Sequence, residues 1–177
     1  MKPATLQIVK LQTERLTLIP FTTEICTHIL NEEFKFLDKL GLKKGRSWPD
    51  IDVIETLPKI IKNLSEVSAP TGFESWIVIK SETSEIIGDV GFKGFNKEES
   101  SADIGYGIIT EERRQGYAEE AARALIKWAF SNVILNVITA KCLIENNSSI
   151  HLLKKLNFKE INKDEEMLLW SLSRTNT

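Results

Sequence analysis

The sequence predicts one mixed α/β domain over residues 1–177, on three observations. Helical patterning dominates to about residue 64, three strand-like stretches joined by short polar turns follow, and the remainder alternates strand with helix. Short turns favour antiparallel neighbours, whereas strand–helix–strand order needs crossovers. A central mixed, mostly antiparallel twisted sheet of about six or seven strands, flanked by helices, satisfies both. The length allows one domain with a substantial core, and 42% hydrophobic with 27% charged residues is the composition of an ordinary globular protein.

Taken in order, Thr13 to Ile19 mixes β-branched and apolar residues and stops at Pro20, as a strand does. Thr23 to Leu30 fits a short helix capped by Thr22 or Thr23, and residues 31–45 are expected to continue helical up to the turn signals Gly41 and Gly45. Ile54, Leu57, Ile61 and Leu64 recur at helical spacing, with Pro58 expected to kink that helix or start a second one. Ser65 to Gly72 reads as a loop. Phe73–Lys80, Glu85–Phe95 and Ala102–Ile109 form the meander. A helix from about Ala118 to Ser131, a strand Val137–Ile144, a helix from about Ser149 to Leu156 and a strand near Met167–Ser173 complete the chain. Trp76, Trp128 and Trp170 are assigned to the core, while Trp48 is left between core and cleft.

The charge balance, 23 basic against 25 acidic residues, creates no field favouring nucleic acid or an anionic membrane. No apolar run reaches transmembrane length, the N-terminus carries no secretory pattern, and a cytoplasmic location follows by elimination. Cys26 and Cys142 form no CxxC pair and read as reduced, packed thiols; with His28 and His151 they offer no metal-ligand spacing. Any anionic ligand must be held locally.

The stretch that can do so runs from Asp103 to Phe130. A strand passes into the loop Arg113-Arg114-Gln115-Gly116-Tyr117-Ala118, which opens directly into a helix with Ala118, Ala121, Ala122, Leu125, Ile126 and Ala129 on one face. A helix start presents unpaired N–H groups and partial positive charge. Gly116 permits close approach and unusual dihedrals, Ala118 stays small, and Arg113 and Arg114 add forked donors. Together they suit a diphosphate. Downstream, Glu145-Asn146-Asn147-Ser148-Ser149 reads as a strand end followed by a cap, with Ser148 or Ser149 as the capping residue.

Arg113-x-x-Gly116-x-Ala118 resembles the (Gln/Arg)-x-x-Gly-x-(Gly/Ala) signature of the GNAT superfamily of N-acetyltransferases. Residues 145–158 resemble the Glu-Asn-x-x-Ser…Leu-x-Lys-Leu-Gly-Phe element of its ribosomal-protein N-terminal acetyltransferase branch, with Asn157 in place of the usual Gly. Thr13-Glu14-Arg15-Leu16 and Ile87-Gly88-Asp89-Val90-Gly91 resemble strands of the same branch. The resemblance implies the GNAT fold, splayed at the CoA site, and acetyl-CoA as cofactor with CoA as product. It implies main-chain contacts to the pantetheine arm at Ile108 and Ile109, a cofactor role for Asn146 and Ser149, and direct attack by an amine. Ser149 is the implied general acid, because Leu153 stands where many relatives carry tyrosine. Asp103 or Glu145 is the implied base, with water as the alternative. The acceptor, a peptide N-terminus or a small-molecule amine, is left open, as is a homodimer. Two other readings stand beside this one: a nucleotide-phosphate enzyme using the same helix start, and a non-catalytic CoA-binding module.

Overall fold

The computed structural model describes residues 10–132 and 134–176. Most of the N-terminal stretch assessed for a secretory pattern lies outside them. Strands β1 (Leu11–Gln12) and β2 (Leu16–Pro20) lead into α1 (Thr23–Leu30), α2 (Phe36–Lys39), β3 (Lys43–Lys44) and α3 (Ile51–Ser65). The meander follows as β4 (Ser75–Lys80), β5 (Glu85–Asn96) and β6 (Ser101–Ile108). Then come α4 (Tyr117–Ser131), β7 (Val137–Leu143), α5 (Asn147–Lys155), β8 (Lys159–Lys163) and β9 (Met167–Ser173). All nine strands join one sheet, in the order β1-β2-β4-β5-β6-β7-β9-β8, with β3 pairing in parallel beside β5.

The expected mixed sheet is present, and the strand count is higher than the six or seven expected. Two of the additional strands, β1 and β3, are two residues long and carry no periodicity to detect. The third, β8, reads Lys-Glu-Ile-Asn-Lys with every residue exposed, a charged edge strand that blunts edge-to-edge pairing. Residues 31–45 are not continuously helical: Glu32 (φ 56°) and Gly41 (φ 67°) turn the chain, leaving only α2 between them. Pro58 does not divide α3, which runs unbroken through it. Pro58 is exposed, so water can satisfy the carbonyl that its missing N–H would have bonded.

Alternation of side chains along the strands assigns the helices to faces. Trp76, Val90 and Tyr106 are successive cross-strand neighbours and share one face. On that face α4 packs through Trp128, whose ring lies 5.7 Å from Trp76 and 5.2 Å from Phe73. Ile77, Asp89 and Gly107 are neighbours on the opposite face, where α3 packs against β5 and α1 against α3. Buried Ala121, Ala122, Leu125, Ile126 and Ala129 confirm the apolar stripe of α4. Trp48, Trp76 and Trp170 are fully enclosed, which settles Trp48 as core, and Trp128 is partly buried against the same cluster. Both cysteines are free and buried.

Candidate active site

The site arises where the sheet comes apart. Strands β6 and β7 pair in parallel only from Ser101↔Val137 to Ile104↔Ala140. Beyond that point β6 continues against β5 alone, and β7 against β9 alone. The Ile109 N–H donates to the Ile87 carbonyl at 2.9 Å, so odd-numbered residues of β6 direct their main chain toward β5. Tyr106 and Ile108 therefore direct theirs into the gap, which is an open sheet edge in mid-sheet. Ile108 lies at the gap, where its carbonyl accepts Arg113 Nε at 2.8 Å and its N–H faces the opening. Ile109 is not so placed. Its N–H is spent on Ile87 and its carbonyl accepts the Glu112 N–H at 3.0 Å.

At the mouth of the gap, a 3-10 turn (Thr110–Glu112) delivers the chain to α4. Arg114 and Gly116 both adopt left-handed backbone, φ 61° and 81°. Gly116 is the N-cap and offers no side chain, and the first helical bond runs from the Glu120 N–H to the Gly116 carbonyl. Among the described hydrogen bonds none uses the N–H of Gly116, Tyr117, Ala118 or Glu119, the set a helix start leaves for a ligand. Glycine is needed at 116 for its dihedral, since an added Cβ would meet only Arg15 Nη2, at 3.4 Å. Arg113, Arg114 and Gln115 are all exposed, and Arg113 also turns back to donate from Nε to the Ile108 carbonyl, pinning the loop.

Two carboxylates in the first turn would repel an anion if left bare. Glu119 is paired with Arg123 (2.9 Å) and Lys155 (3.4 Å). Glu120 accepts Thr13 Oγ1 at 2.6 Å, the Arg15 N–H at 2.8 Å and Arg15 Nε at 2.7 Å. Burial alone would push Glu120 up, but these donors hold it below the usual carboxylate range. Arg15 also donates to the Gln115 carbonyl at 2.9 Å and lies 4.5 Å from the Tyr117 ring centroid. This clamp between the β1–β2 bend and α4 was not among the site residues expected from sequence. Its only signal there was an Arg beside the polar Thr13-Glu14 pair.

Across the gap, α5 is capped by Asn146, whose Oδ1 accepts the Ser149 N–H at 3.1 Å. Neither Ser148 nor Ser149 is the cap, a correction that frees the Ser149 hydroxyl. The Tyr106 phenol lies on this side of the gap, its pKa raised by burial first, lowered by the neighbouring Ser149 hydroxyl and raised again by Cys142. Leu153 is buried, and Tyr106 places a phenol on the α5 side from the facing strand instead. Of the acids, Asp103 lies where β6 and β7 are still paired, and both its oxygens are engaged, by Lys93 Nζ at 2.8 Å and Thr139 Oγ1 at 2.9 Å. Glu145 is exposed in the turn before α5. No group of three or more His, Cys, Asp or Glu with metal-binding geometry occurs among the described residues.

This geometry matches a known one. Residues 15–159 fit the family model described as an acetyltransferase (GNAT) domain. An uncharacterized N-acetyltransferase of Bacillus subtilis, YjdG, is 33% identical over 163 residues, covering 92% of this chain and 97% of the relative. The chain therefore belongs to the GNAT family of N-acetyltransferases. Among solved structures, the ribosomal-protein-S5-alanine acetyltransferase of Vibrio fischeri superposes with a TM-score of 0.67 at 16% identity, covering 94% of this chain and 97% of its own. The microcin C7 self-immunity acetyltransferase MccE, solved with acetyl-CoA and AMP, gives 0.64 at 15% identity, covering 91% and 93%. Acetyl-CoA is the cofactor of this family. The residues present fit it: free amides at the α4 start suit a diphosphate, and the open β6 edge suits an amide-bearing arm. No described helix is long and apolar enough to cross a membrane.

Proposed function

We propose that the chain, as one transferase domain, moves an acetyl group from acetyl-CoA to a primary amine, on a peptide N-terminus or a small molecule, by direct attack. Bound in the gap, the cofactor supplies a thioester carbon open to a nitrogen nucleophile. The protein's part is positional and electrostatic. The unpaired amides of Gly116 to Glu119, aided by exposed Arg114 and Gln115, hold the diphosphate while Tyr117 and Ala118 seat the loop. The Ile108 N–H is a donor for the carbonyl oxygen as negative charge grows on it. Ser149, beside Tyr106, is the proposed donor of a proton to the departing sulfur, and the Asn146 amide nitrogen, without a described partner, is a proposed donor to the cofactor. The near-neutral charge and the absence of a described membrane-crossing helix support a cytoplasmic enzyme without nucleic-acid partners. A homodimer stays compatible with this reading.

The observation that carries the reading is the divergence of β6 from β7 directly before an uncapped helix start. Its test is Gly116→Glu, which sets bulk and negative charge at the proposed diphosphate site. Calorimetric titration with CoA should show binding by the wild type and none by the folded variant; equal affinity would remove the site from this loop. Thiol release from acetyl-CoA with a panel of amines then tests transfer, and binding without transfer to any amine would favour a CoA-binding module.

A further inference from the structure

We propose that Asp89 accepts the proton of the incoming ammonium group, acting from the sheet face opposite α4; this rests on the acetyl-transfer reading above. Asp89 sits on β5 beside Ile77 of β4 and Gly107 of β6. The face it shares with Gly107 and Gly105 is the one that α4 and α5 leave free. No side chain from β6 covers it: a Cβ on Gly107 would reach only Asp89 Oδ1, at 3.6 Å, and one on Gly105 would meet nothing within 4 Å. A bare strip of backbone thus connects the carboxylate to the gap edge, about one strand spacing of ~5 Å away, within reach through a single water.

Asp89 accepts no hydrogen bond among those described, in contrast to Asp103, whose oxygens are both engaged. Asp89 is half-buried, so its carboxylate is not tied to a fixed partner and stays open to an incoming group beside the reaction site. Its immediate strand neighbours Ile77 and Gly107 bring no charge, while α3 brings Asp50 and Asp52. Burial, and then those like charges, push the carboxyl up to about 7. Both protonation states are then populated near neutrality, the condition under which a base takes and releases protons efficiently. The same three acids attract a cationic acceptor to this face.

The balance is simple. One ammonium proton passes to Asp89; the nitrogen lone pair forms the C–N bond as the C–S bond breaks. The second N–H proton is lost from nitrogen as the sulfur gains one, and Asp89 returns its proton to solvent, a net release of one.

Two measurements test this. In the protein without cofactor, carbon-13 NMR of the Asp89 carboxyl should titrate near 7, and a midpoint in the ordinary range near 4 would overturn the proposal. With spermidine and with an Ala-initiated peptide as acceptors, wild-type kcat/KM should fall below pH 7 with a midpoint independent of the amine's own basicity. Asp89→Asn should lower kcat/KM at pH 7 at least about 100-fold and erase that limb, with CoA affinity within about twofold of wild type; Asp89→Glu should restore part of the rate. An intact limb in Asp89→Asn overturns the proposal. Should Asp89→Asn fail to fold, coincidence of the wild-type kinetic and NMR midpoints decides. Failure of the wild type on every amine would instead count against acetyl transfer itself, leaving the NMR midpoint to judge Asp89.

Discussion

Holding a carboxyl near 7 has a thermodynamic consequence that Asp89→Asn exposes without any substrate. In the unfolded chain Asp89 ionises around its ordinary 3.8, and in the folded protein around 7. Between those values the folded state binds the extra proton, so raising the pH favours unfolding. The stability penalty is absent below the unfolded value, grows as pH rises, and is complete above the folded value. At ~1.4 kcal/mol per tenfold change, it amounts to about 2 kcal/mol at pH 5.5 and about 4 kcal/mol at pH 8.5, as orders of magnitude. Asparagine carries no such penalty and is close in shape. Urea denaturation of both proteins at the two pH values should therefore find Asp89→Asn the more stable, its advantage widening by about 2 kcal/mol from the lower to the higher pH. A pH-independent difference, or a variant weaker than wild type at pH 8.5, would refute the claim that this carboxylate is desolvated and unpaired.

The clamp on α4 makes a contrasting case. Glu120→Ala removes three charge-assisted bonds and leaves Arg15 without its anion, so unfolding free energy should fall by about 3 kcal/mol, with weaker CoA binding by calorimetry; a loss below ~0.5 kcal/mol would show the clamp to be decorative. Ser149→Ala should reduce kcat while leaving thermal stability within about 1 °C, because the cap of α5 is Asn146; Asn146→Ala should cost about 1 kcal/mol in stability. Both cysteines are buried, and burial pushes the Cys26 thiol up to about 12. A chromogenic disulfide reagent at pH 8 should titrate neither thiol in the native protein and both after guanidinium is added.

Much of the architecture was readable because its pieces are strongly patterned. The α4 stripe, the β4–β6 meander and the loop at Gly116 each carry a period or a turn that local physics enforces. The misses have physical causes as well. Strand β8 has no apolar alternation, since both its faces see water. Residues 31–45 contain good helix formers, yet Glu32 in left-handed backbone breaks the run, and such a dihedral in a glutamate leaves no compositional trace. At the candidate site, the loop before α4 was legible because glycine and arginine advertise their chemistry. The pairing of Arg15 with Glu120 spans 105 positions and is invisible without the fold. Asp89 had a faint signal, an acid alternating between Ile87 and Gly91 in an otherwise apolar strand, and its role became arguable only when Gly107 was found beside it. The main chain of Ile109, which the family resemblance implied as a contact, is engaged by Ile87 and Glu112, because strand alternation decides which amides face the gap.

A seam left unzipped in the middle of a sheet means that the folded polypeptide is, on its own, an unfinished object. Neighbouring strands on either side are paired, while the N–H groups of Tyr106 and Ile108 face the opening and, on the reading proposed above, receive the arm of the cofactor. The donor is then a structural component as much as a reagent: filling the seam raises resistance to unfolding by RT ln(1 + [L]/Kd), roughly 3 kcal/mol at a hundredfold excess over Kd. On that reading, the thermal midpoint of the protein should climb with the concentration of CoA added to it.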